Sequence, residues 1–162
     1  MTNMIFNRRG LLGAGALTAI GVAFASRSIA APAKFQVTKT PAEWRKQLGP
    51  ERYNVLRQEG TERPYSSPLN KEQRRGIYAC AGCDLPVYSS TAKFESGTGW
   101  PSFWREIRGN VAYKRDTSLL MTRIEEHCRR CGGHLGHLFD DGPKPTGKRH
   151  CINGLSLKFR PA

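Results

Sequence analysis

The sequence predicts a mostly β, α+β fold, with short helices confined to the N-terminal part of one domain and short strands filling the rest. Three features carry that expectation. Helix start and stop signals occur between Thr40 and Gly60, short apolar runs bounded by turn residues recur from Ile77 onward, and two C-x-x-C pairs, Cys80/Cys83 and Cys128/Cys131, sit beside such runs. At 162 residues the chain suits a single domain with its own core.

Residues 1 to 30 read as a cleaved export signal and 31 to 162 as the domain. Asn7-Arg8-Arg9 is followed by an apolar stretch from Leu11 to Ala25 and then by Ser28-Ile29-Ala30-Ala31-Pro32-Ala33, with cleavage expected after Ala30 or Ala33. The stretch is short and rich in Gly and Ala for a membrane span, although an uncleaved anchor is the rival reading. Arg8-Arg9, the mild apolar core and Arg27 resemble a twin-arginine signal, which implies export of folded protein to a bacterial periplasm. No membrane association is expected after removal.

Thr40-Pro41-Ala42-Glu43 is a capping box with proline at the first helical position, and Trp44 and Leu48 give the helix one apolar face before Gly49-Pro50 ends it. A second short helix is expected from Glu51 to Gln58, with Tyr53 and Leu56 on one face. Proline and serine between Arg63 and Pro68 predict a loop lying over the domain.

Strands are expected at Ile77 to Ala79 and Leu85 to Tyr88, flanking the first C-x-x-C, and at Leu119 to Glu125, before the second. Four thiolates from two hairpin turns match the tetrahedral set of a closed structural zinc site, one ion per chain, that leaves no position for substrate. Two disulfides are the alternative in an exported protein. Between the pairs, Gly97, Gly99 and Pro101 set a tight turn that brings Trp100, Phe103 and Trp104 close together, either in the core or at a pocket edge.

Cys151 is the one cysteine without a C-x-x-C partner. A lone cysteine is either a small buried hydrophobe or a nucleophile, and the nucleophile needs a lowered pKa. In an extended segment Arg149, Cys151 and Asn153 share one face while His150 and Ile152 share the other. Three of the four histidines, His134, His137 and His150, lie within 17 residues of Cys151, offering acid, base and donor groups. Leu155, Leu157 and Phe159 are expected inward on a closing strand, with Ser156, Lys158 and Arg160 outward.

The formal charge is +13, and residues 1 to 30 hold three arginines and no acid, which leaves +10 for the rest. The basic residues are scattered in short pairs such as Arg74-Arg75 and Arg129-Arg130, so no nucleic-acid partner is expected. A basic, metal-held binding module and another thiol enzyme on a similar scaffold are the rival classes.

Taken together, the two C-x-x-C pairs, Ser96-Gly97-Thr98-Gly99-Trp100-Pro101-Ser102-Phe103, the run from Gly133 to Pro143 and Arg149-His150-Cys151-Ile152-Asn153 resemble the B-type methionine sulfoxide reductases over residues 38 to 160. That resemblance implies two packed antiparallel β-sheets with short N-terminal helices and a zinc away from the active site. It implies reduction of methionine-R-sulfoxide in oxidised proteins through a sulfenic acid on Cys151, without organic cofactor, by a monomer. His137 or His134 would be the acid, Asn153 and Asp141 would orient it and bound water, and Arg149 would favour the thiolate. Trp100, with Phe103, would receive the substrate's S-methyl group. Many members carry a resolving cysteine where this chain has Thr98, so an external, thioredoxin-like thiol is expected to regenerate Cys151. A thiolate paired with a protonated acid predicts a bell-shaped pH profile.

Overall fold

The capping box predicted at Thr40 opens the one α-helix among the described residues, which are 35 to 118 and 121 to 162 of a computed structural model. The predicted signal segment lies outside them. In α1 (Pro41–Gln58) the Thr40 side chain accepts from the Glu43 amide while the Thr40 amide donates to Glu43 Oε2 at 2.7 Å. Gly49, at φ 71° and ψ 174°, breaks the helix into the two segments that the Gly49-Pro50 pair predicts. Trp44, Leu48, Tyr53, Val55 and Leu56 are buried.

Nine strands follow: β1 (Gly76–Cys80), β2 (Pro86–Ser89), β3 (Lys93–Phe94), β4 (Ser102–Phe103), β5 (Val111–Asp116), β6 (Arg123–Cys128), β7 (His134–Phe139), β8 (Arg149–Ile152) and β9 (Leu157–Pro161). They form a three-stranded sheet in the order β2-β1-β9 and a six-stranded sheet in the order β3-β4-β8-β7-β6-β5, antiparallel throughout. The chain is therefore mostly β with two antiparallel sheets and one N-terminal helix.

The core fills the space between the sheets. Phe103 stacks on Tyr88 with ring centroids 4.5 Å apart and meets Tyr78 edge-on at 5.0 Å. Burying one such ring contributes roughly 1.5–3 kcal/mol, and a well-placed aromatic pair about 0.5–1.5 kcal/mol more. Phe103 is 0% exposed, which corrects its expected place in the substrate pocket. Its register partner is His150, so its ring faces the core while neighbouring Ser102, opposite Cys151 and itself buried, lies on the other face of the sheet.

A carboxylate is also buried there. Glu126, 0% exposed, accepts from the Tyr88 hydroxyl and pairs with His150 Nδ1 at 2.8 Å. The sheet thus carries polar groups on both faces, which defeats simple apolar alternation.

Two strand expectations need correction. The strand predicted from Leu119 begins at Arg123, leaving Met121 in a bend; Ile124 is exposed while Glu125 and Glu126 are buried, because their side chains find partners inside. Leu119 and Leu120 lie outside the described residues. Ser156, expected outward, is buried in a one-turn 3-10 helix (Gly154–Ser156), where its hydroxyl donates to the Asn153 carbonyl at 2.6 Å. Leu157 does face inward, and Phe159 packs against the core.

Candidate active site

Cross-strand register brings the chemistry together. Cys151 on β8 lies opposite His137 on β7 and Ser102 on β4, and His137 lies opposite Glu125 on β6, which lies opposite Lys114 on β5. Partners in register share a face, so Ser102, Cys151, His137, Glu125 and Lys114 form one row on the sheet face away from the aromatic core.

His134 joins that face through a β-bulge. In a regular strand, residues three apart point to opposite sides. Here Glu126 pairs with Gly136 and the next residue, His127, pairs with His134, so Leu135 is an extra residue on β7. The bulge turns His134 and His137 to the same side, with ring centroids 5.3 Å apart. Gly136 lets β7 and β8 meet there: a Cβ on it would lie 2.0 Å from the Cys151 carbonyl oxygen.

The two histidines have different surroundings. His134 is 2% exposed and its Nδ1 lies 2.7 Å from Glu125 Oε1. His137 is partly exposed and its Nε2 lies 2.8 Å from Asp116 Oδ2, a carboxylate also held by Arg123 Nη2 at 2.6 Å. Burial lowers the His137 pKa; Asp116 pulls it back up, while Arg123 and His134 add to the lowering. For Asp116, hydrogen bonds from Ser118, then from His137 and Arg123, hold the carboxyl well below its usual range.

Cys151 is half-buried, and burial pushes its thiol pKa up; Arg149 and Thr98 pull the other way without cancelling the effect. The lowered resting pKa expected from Arg149 is therefore not found. The guanidinium instead divides its contacts, with Nε and Nη2 donating to Asp141 at 2.8 and 2.9 Å and the plane lying over Phe139. Asp141 is thus a partner of Arg149, and the carboxylate that reaches the exposed histidine is Asp116.

Asn153 lies just past β8 and is spent on architecture. Its Oδ1 accepts from the Glu62 amide at 3.0 Å and its Nδ2 donates to the Leu135 carbonyl at 3.2 Å. Glu62 in turn accepts from the Gly154 and Leu155 amides at 2.5 and 2.9 Å. Trp100 is partly exposed and donates from Nε1 to the Glu62 carbonyl at 3.2 Å, while the Pro101 carbonyl accepts from the Ile152 amide at 3.0 Å. The proline-rich loop thereby fixes the tryptophan beside β8.

Gly99, at φ 92°, takes a conformation that favours glycine, and a Cβ there would come within 2.8 Å of Pro64 and 2.9 Å of Tyr65. Its turn carries Thr98, whose Oγ1 is 4.0 Å from Cys151 Sγ.

The four C-x-x-C cysteines form a separate centre. Their sulfurs all lie within 4.8 Å of one another, Cys83 to Cys128 at 3.4 Å and Cys80 to Cys131 at 3.7 Å, and all are free thiols. Sulfurs about 2.3 Å from one tetrahedral ion would be separated by about 3.8 Å, so the set fits such an ion. Helix α1 packs beside it, with Gln47 donating to the Gly82 carbonyl at 2.7 Å and Arg57 to the Cys131 carbonyl at 2.9 Å.

Sequence reasoning missed Asp116, Glu125, Arg123 and Lys114. Their signal was charge at alternate positions, Lys114 and Asp116 against Arg123 and Glu125, a pattern that also describes a solvated hairpin until register is known.

With this geometry in hand, comparison with known proteins gives a consistent result. The SelR domain matches residues 48–161. The chain is similar to proteins named peptide methionine sulfoxide reductase MsrB: 57% identical to that of Methanosarcina barkeri, with 76% of this chain and 88% of the relative covered. It is 50% identical to that of Agrobacterium fabrum, covering 78% and 94%, and 50% identical to that of Leptospira interrogans, covering 78% and 97%.

Proposed function

Since the chain belongs to the B-type methionine sulfoxide reductases that share the SelR domain, we propose that it reduces methionine-R-sulfoxide in oxidised proteins with Cys151 as nucleophile. The observation that carries this reading is the register pair Cys151–His137, both partly exposed on one sheet face, with His137 tied to Asp116.

The resting pair holds one proton. With the Cys151 pKa raised and the His137 pKa lowered, that proton rests on sulfur at neutral pH. Asp116 occupies His137 Nε2, leaving Nδ1 for exchange. As Cys151 Sγ attacks, the substrate S–O bond breaks and an Sγ–O bond forms. The thiol proton travels through His137 to that oxygen. Sulfoxide becomes thioether by gaining two electrons, and Cys151 becomes a sulfenic acid. His137 is the acid in this scheme because His134 is buried and engaged by Glu125. Trp100 offers its ring to the apolar methyl group.

Regeneration needs two external thiols. One attacks Cys151 Sγ, expelling water and forming a mixed disulfide, and the second releases Cys151 as the thiol. Thr98 beside Cys151 supports this route, since it cannot supply a thiol. A thioredoxin-like dithiol is the proposed donor. The four-cysteine centre is proposed to hold zinc, a fold-stabilising ion with no coordination site left for substrate. Arg8-Arg9 and the apolar segment after them support export through a twin-arginine route to the periplasm, where the mature chain acts as a monomer.

The test is turnover of a methionine-R-sulfoxide peptide and its S epimer with dithiothreitol, for the wild type and Cys151→Ser. Reduction of the R epimer alone, lost in the variant, is expected. Failure on both epimers by folded protein would overturn the reading.

A further inference from the structure

The chain has three methionines, Met1, Met4 and Met121, and the first two fall in the predicted signal segment. Met121 is thus the one thioether of residues 31 to 162. It is 56% exposed, which is unusual for a side chain normally kept inside. It sits in the connection between β5 and β6, its amide donating to the Ser118 carbonyl at 3.3 Å. Of the residues flanking that connection, Asp116 bonds His137, the register partner of Cys151, and Arg123 bonds Asp116. An accessible thioether therefore lies on the segment that joins the two strands carrying Asp116 and Arg123.

We propose that Met121 is an oxidation site and that its sulfoxide is a substrate of Cys151 in a second copy of the chain. This rests on the reductase reading given above. Exposure governs which methionines peroxide reaches, and Met121 is exposed. The damage consumes one peroxide per event: the thioether gains oxygen, peroxide loses it, and water leaves. Repair is the proposed reaction itself, with the oxygen passing to Cys151 of the other copy and then to water at the expense of an external dithiol. Each cycle destroys one peroxide, so an oxidised population is restored by whichever copies remain reduced. Met121 lies on the connecting segment while Cys151 lies within the sheet, which suits delivery from one molecule to another.

The experiment separates oxidation from repair. Full-length Cys151→Ser chain is treated with hydrogen peroxide, freed of oxidant, and used as substrate for a catalytic amount of reduced wild-type chain with dithiothreitol. A methionine-R-sulfoxide peptide is included in the same tube. Trypsin releases Asp116 to Arg123 as one peptide containing Met121, so a gain of one oxygen is read directly by mass. Peroxide should produce the oxidised peptide. Wild-type chain should then return about half of it to the thioether, since peroxide makes both sulfoxide epimers and one is taken. Dithiothreitol without wild type should return none. If Met121 stays unoxidised, or its sulfoxide persists while the control peptide is reduced, the proposal is overturned. If the control peptide also persists, the reductase reading fails, and self-repair with it.

Discussion

Replacing Glu126 by Ala should be among the most destabilising single changes in this domain. The carboxylate is fully buried and accepts from the Tyr88 hydroxyl and His150 Nδ1. Its loss leaves two buried donors unpaired at about 1–3 kcal/mol each, which agrees with about 3–5 kcal/mol for breaking a buried polar pair by removing one side. In a domain of this size each kcal/mol moves Tm by roughly 3–5 °C, so a fall of about 10–20 °C is expected. Urea unfolding of full-length protein, at matched metal content, measures the loss. The triple replacement Tyr88→Phe, Glu126→Leu, His150→Phe removes donors and acceptor together and should recover at least half of it. A loss under 1 kcal/mol for Glu126→Ala, or a triple variant no more stable than the single one, would refute the reasoning.

Other outcomes follow from the site. The one-proton form of the Cys151–His137 pair exists between the lowered His137 pKa and the raised Cys151 pKa, so the acid limb of activity tracks His137 and the alkaline limb Cys151. Asp116→Asn removes the group that lifts His137, so the acid limb should move to lower pH; Arg149→Met removes a group that lowers Cys151, so the alkaline limb should move higher. Full pH profiles of kcat/KM check both. Thr98→Cys places a thiol where Oγ1 is 4.0 Å from Cys151 Sγ, and peptide mapping after turnover without reductant should find a disulfide between residues 98 and 151. Cys128→Ser should lower bound metal from about one ion per chain to none and remove cooperative unfolding, read by metal analysis and calorimetry.

Local signals in the chain are legible where they act locally. The capping box, the break at Gly49-Pro50 and the paired cysteines depend on neighbours a few residues away, and each lies where its chemistry requires. Alternation around Cys151 also held, with His150 and Ile152 turned to the core. What resisted reading depends on register. Asp116 reaches His137 because β5, β6 and β7 align in one way, and no spacing in the chain encodes that alignment. The turn leaves Trp100, Phe103 and Trp104 open between core and pocket edge, and the resemblance implies the pocket for Phe103, but one step along a strand exchanges one face for the other. Asn153 shares a strand face with Cys151 and by resemblance would orient the acid and bound water, while both ends of its amide are held by the chain itself.

The extra residue in β7 makes the centre sensitive to length as well as to composition. Along a strand, inward and outward positions behave like even and odd numbers, and Leu135 resets the count between the two histidines. A conservative replacement at Leu135 keeps the count and costs packing. Deleting it leaves the two histidines two apart, a spacing that shares a side in a regular strand without any bulge. Relatives that keep both histidines on one side should therefore carry either the three-residue spacing with the bulge or a two-residue spacing without it. Keeping the three-residue spacing while straightening β7 would instead part His134 from His137, although both remain in the sequence.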